Sequence, residues 1–99
     1  MPTTLHSADE LHRGDFYEDC AYHPCLCTRT EYDMVEGISL VDGSYPRLCG
    51  VPHCGVRKLT FEEAVQWRFY GPPDVPPEIE SDMPAAQKYW LSAPNENRA

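Results

Sequence analysis

FYEDCAYHPCLCTRTEY, residues 16–32, sets three cysteines and a histidine at turn-like spacing and then runs into a strand-like segment. Pro24 crowds the backbone of His23 and biases it to an extended conformation. From Cys25 to Tyr32 the threonines and alternating side chains predict a strand. On such a strand Cys25 and Cys27 point to one face, with Leu26 on the other.

Working outward, the cysteine pattern resumes 21 residues later as Cys49-x3-His53-Cys54. Zinc takes four thiolate or imidazole ligands at tetrahedral corners, and residues a few positions apart in a turn reach one ion without straining the chain. The expectation is therefore a structural zinc site built on Cys20, Cys27, Cys49 and Cys54, with His23 as first alternate. His53 adjoins Cys54, and adjacent side chains diverge. Cys25 is the thiol most readily released to the core. The spacing departs from a strict pair of CxxC knuckles, so buried or reactive thiols remain the competing reading. Five cysteines cannot all pair with one another in disulfides.

Between the two halves, residues 37–49 (GISLVDGSYPRLC) predict a hairpin turning at Asp42-Gly43, with Pro46 confining the return strand to an edge. After the cluster comes the clearest element, a helix over 61–70. Thr60 and Glu63 form a capping box, Leu59 staples to Ala64, and Gly71-Pro72-Pro73 stops it. Phe61, Ala64, Val65 and Phe69 recur at helical spacing and are expected to face the core. Upstream, Ser7 and Glu10 frame a helical turn within 7–13, with Gly14 as its stop. Arg13-Gly14-Asp15 is read as a turn and not as an adhesion motif. Downstream, residues 72–80 predict a stiff proline-rich connector and 83–91 a second short helix. The predicted architecture is a small α+β domain over residues 1–80, with a short irregular antiparallel sheet over 25–49, the main helix at 61–70 and a Cys/His metal site. Residues 81–99 would form a short helix and frayed tail.

Composition explains why a staple is expected. A 99-residue chain with ten prolines and a mean hydropathy of −0.54 can bury only a small core. Its eleven aromatic residues argue against wholesale disorder. No segment has the ~20 apolar residues needed to cross a bilayer. Met1–Glu10 lacks the basic start and apolar run of a secretory leader, so a cytoplasmic location is expected.

Charge narrows the function classes. The net charge is −8, yet residues 43–61 hold Arg47, Arg57 and Lys58 and no acid, leaving −11 on the rest. Such a balance opposes nucleic acid and anionic membrane. The expected function is a small acidic, zinc-stabilised protein-interaction module whose partner is another, basic, protein. An alternative is a thiol-dependent or metal-assisted enzyme using the Cys49–Lys58 region, and a second is a zinc-finger-like nucleic-acid binder. Arg47, Arg57 and Lys58 are the candidate anion- or partner-binding residues.

Overall fold

The computed structural model describes residues 2–73, apart from the side chains of Pro52 and His53. The predicted helix at 83–91, the tail over 81–99 and the connector past residue 73 lie outside the described residues.

The chain is α+β. Strands β1 (Thr3–Thr4), β2 (Phe16–Glu18), β3 (Pro24–Glu31), β4 (Met34–Ser39), β5 (Cys49–Gly50) and β6 (Arg57–Leu59) form one open antiparallel sheet in the order β1-β6-β2-β3-β4-β5. A 3₁₀ turn at Ala8–Glu10 follows β1, a four-residue helix α1 (Val51–Cys54) follows β5, and α2 (Phe61–Tyr70) follows β6. The capping boxes read from Ser7/Glu10 and Thr60/Glu63 both form.

The sheet must curl, and the chain itself shows why. Four inter-strand steps separate β6 from β5, about 19 Å if the sheet were flat. Only residues 51–56 join them, and four of those are wound into α1 at about 1.5 Å each. The connection can be made only if the far edge of the sheet bends back towards β2 and β6.

Alternation along the strands then makes two cores. Inside the curl lie Tyr17, Cys25, Cys27, Val35 and Cys49, closed off by Leu5, Ala8, Leu11, Val51 and Val56. On the outer face Leu59, Ala64 and Trp67 pack together, with Phe16 against them. Tyr17, fully buried, sits between Phe16 and Glu18, and those two neighbours in β2 turn towards α2.

Three expectations need correcting. The tight hairpin joins β3 to β4 through Tyr32-Asp33, with Tyr32 in the left-handed region at φ 55°, and not through Asp42-Gly43. Asp42-Gly43 does turn, but into a longer loop. Ser39 N–H donates to the Ser44 carbonyl, and Arg47 N–H to that of Gly37, before β5 pairs with the opposite end of β4. The sheet is also wider than 25–49, because the short strands β1, β2 and β6 complete it. Finally, α2 does not bury the face of Phe61, Val65 and Phe69, all of which are exposed. It packs through Ala64 and Trp67, since the small Ala64 admits close approach and the Trp67 indole reaches a buried acceptor on β2. Phe61 makes a tilted ring contact with Phe16 of the sheet at 5.9 Å.

Candidate metal centre

Three thiols from separate segments converge. Cys20 leaves β2 on a turn, Cys49 sits on the edge strand β5, and Cys54 ends α1 just before Gly55, which takes the left-handed stop at φ 64°. Their Sγ atoms all lie within 4.8 Å of one another. Sulfurs sharing a zinc ion stand about 3.8 Å apart, given Zn–S bonds of about 2.3 Å in a tetrahedron. Small side-chain rotations therefore suffice to close this group on an ion. Cys20 is exposed, Cys54 half-buried and Cys49 buried, so one side of the trio opens to solvent.

The turn carrying Cys20 is shaped by Asp19. The Asp19 Oδ1 accepts from the backbone N–H groups of Ala21 and His23, each at 2.9 Å. Tyr22 adopts a left-handed φ of 65°, and its N–H closes back on the Asp19 carbonyl. The other carboxylate oxygen, Oδ2, accepts both Nε and Nη2 of Arg47, at 2.9 and 2.7 Å. Arg47 is two residues before Cys49, so this carboxylate ties the two thiol-bearing segments.

The remaining sequence-predicted ligands are placed elsewhere. Cys27 is buried in the inner core, and its Sγ donates to the Arg29 carbonyl at 3.6 Å. Cys25 is also buried, between the His23 carbonyl and the Asp19 carboxylate. His23 is buried with Nδ1 2.9 Å from the Ser39 hydroxyl, which also accepts from the Val41 N–H. Neither cysteine nor His23 joins the trio.

Burial sets the protonation of these groups. It pushes the Cys20 thiol upward and the Cys49 thiol to about 12. Without an ion both are neutral thiols at neutral pH, and a bound cation would have to displace their protons. His23 moves the other way: burial lowers its affinity for a proton, Arg47 lowers it further, and Asp19 and Asp42 oppose. At His23 the unfolded chain therefore takes up a proton more readily than the native state as the pH drops through about 6.5. Stability is expected to fall as the pH goes from 6.5 towards the lowered native value. Melts of chelator-treated protein between pH 7.5 and 5.5 test this. His23→Gln should flatten the slope, and an unchanged slope would assign it to another group.

The candidate anion-binding cations all meet carboxylates. Arg47 is held by Asp19, and Arg57 makes two 2.8 Å bonds to Glu18. Lys58 Nζ lies 3.4 Å from Asp15. The acid-free stretch of sequence is thus neutralised by acids that precede Cys20 in the chain. Asp19, which ties the two thiol-bearing segments, is absent from the sequence expectations; its signal is an aspartate directly before a cysteine in a turn.

Among the described residues, no helix is long and apolar enough to cross a membrane. No known family's sequence pattern, no curated protein and no solved structure matches the chain.

Proposed function

We propose that this chain is a small protein-interaction module stapled by one zinc ion on Cys20, Cys49 and Cys54, with a water or another donor taking the fourth position on the solvent-facing side. The observation that carries the reading is the meeting of those three thiols from a turn, an edge strand and a helix end. An ion there would clasp the outgoing end of β2 to the far edge of the sheet. That is where a small curled sheet without a complete ring of ladder bonds most needs a cross-link. Thiolate ligands favour zinc or copper(I) over calcium or magnesium.

Interaction is favoured over catalysis by what surrounds the thiols. A neutral, buried Cys49 is a poor nucleophile, and the nearby Arg47 and His23 are engaged with Asp19 and Ser39. Nucleic-acid binding is disfavoured because the basic side chains face carboxylates. Meanwhile large side chains stand clear of the core. Tyr32 is 91% exposed, and Tyr45, Leu48, Phe61 and Tyr70 are at least half exposed. On an acidic chain such anchors suit a basic protein partner.

The decisive experiment is metal analysis of purified protein with melts before and after chelation. One equivalent of zinc is expected. At free zinc of 100 Kd its removal should lower stability by about 2.7 kcal/mol. No stoichiometric metal and an unchanged melt would reject the reading.

A further inference from the structure

We propose that Asp19 and Arg47 are the positioning residues of this thiol site, acting as one clamp that holds Cys20 and Cys49 at ligand separation. The inference rests on the metal reading above and adds what makes the site a site.

The sheet holds these two thiol-bearing segments only weakly. Cys20 lies beyond the end of β2, and β5 has only two registered pairs with β4, Met34 with Gly50 and Val35 with Cys49. Ordering one backbone residue costs about 1–2 kcal/mol, so an ion gathering loose segments would lose affinity to that cost. Asp19 removes the looseness from both sides. One oxygen fixes the turn through Ala21 and His23, and the other receives the Arg47 fork. Arg47 is itself held at three further points. Its Nη1 donates to Ser44 Oγ, its carbonyl accepts from the Tyr17 hydroxyl, and its N–H donates to the Gly37 carbonyl. The clamp is thereby tied to β2 and β4 of the sheet.

The arrangement is hard to explain as a stability device alone. The Asp19 side chain is 3% exposed and that of Arg47 24% exposed. Ion pairs taken out of water recover little more than their desolvation cost, and their best-attested use is to fix geometry. The Arg47 guanidinium suits that task because its fork fixes direction as well as distance. Here the direction is from the Cys20 turn to the arm leading into Cys49.

The test uses the full chain. Zinc affinity of Asp19→Asn and Arg47→Lys is measured by competition with a chromophoric chelator, alongside the cobalt(II) spectrum. Asparagine keeps an oxygen for the turn and loses the charge; lysine keeps the charge and loses the fork. Each variant should bind zinc 10- to 100-fold more weakly, the range for residues that orient ligands without touching the metal. The double variant should be no worse than the weaker single one, because the two act as a unit. Trp67→Phe, on the opposite face of the sheet, serves as the control: it should lower the melting temperature and leave zinc affinity unchanged. If Asp19→Asn fails to fold, Arg47→Lys alone decides. Zinc affinity within twofold of wild type in a folded clamp variant overturns the proposal while leaving the metal reading intact. A wild-type protein that binds no zinc overturns the metal reading, and this proposal with it.

Discussion

Replacing Glu18 by alanine is expected to cost about 3–5 kcal/mol, the range for breaking a buried ion pair from one side. Glu18 is buried on β2, where it is registered opposite Arg57 of β6. One carboxylate oxygen accepts Arg57 Nε at 2.8 Å. The other accepts Arg57 Nη2 at 2.8 Å and the Trp67 indole N–H at 2.5 Å. The guanidinium also lies 5.9 Å from the centre of the Trp67 ring. A single carboxylate thus joins two strands and the one long helix among the described residues. Alanine would take the charged acceptor away from Arg57 and leave the Trp67 indole donor without its acceptor in a half-dry layer, and that lost pairing dominates the cost. A domain of this size holds about 5–15 kcal/mol in all, so the variant would be mostly unfolded at modest denaturant. Denaturant titration followed by tryptophan fluorescence provides the measurement. Changing Glu18 and Arg57 together to methionine should recover part of the loss, because the buried pair is then removed from both sides. A loss under 1 kcal/mol for Glu18→Ala would show that Arg57 and Trp67 are satisfied without Glu18.

That carboxylate also shows where sequence reading stops. Local signals are legible when their partners are a few residues away. The capping boxes at Ser7/Glu10 and Thr60/Glu63 have that property and form, and so does the strand expected over 25–32, which forms as Pro24–Glu31 with Tyr32 in the turn that follows. The convergence of Cys20 with Cys49 and Cys54 is legible in the spacing, but the separation of Cys27 from them is not. On a strand Cys27 shares a face with Cys25, and only the curl of the sheet decides that this face is the core. The helix face failed for a related reason. Periodicity records which residues are apolar, whereas burial of α2 is decided by the Glu18 acceptor 49 positions away from Trp67. The local +3 of residues 43–61 likewise vanished because β2 and its flanking residues bring Asp15, Glu18 and Asp19 against it. The hairpin was misplaced because Asp42-Gly43 is the stronger turn dipeptide, yet Tyr32 accepts the left-handed conformation once β3 and β4 have paired.

Gly37→Ala should destabilise the fold by about 3 kcal/mol, the upper end for overpacking, although the change adds one methyl group. The backbone of Gly37 is not in the left-handed region, so its conformation alone would admit alanine. Close approach is what requires glycine. A Cβ there would stand 2.5 Å from the Leu26 carbonyl oxygen, 2.5 Å from the Tyr17 hydroxyl and 2.8 Å from a carbon of the Tyr17 ring. None of these neighbours can retreat cheaply. The carbonyl belongs to β3, whose Cys27 is registered with Gly37 across the ladder. Fully buried Tyr17 crosses from β2 to donate its hydroxyl to the Arg47 carbonyl at 2.8 Å. The sheet can therefore curl tightly only where β4 lacks a side chain, and Tyr17 fills the space that the missing Cβ leaves. Tyr17→Phe in the Gly37→Ala background should restore only a small part of the stability, since the contacts with the ring carbon and with Leu26 remain. A Gly37→Ala protein within 1 kcal/mol of wild type by denaturant titration would mean that β3 and β4 separate easily. The Tyr17 bridge to Arg47 would then not depend on their close approach.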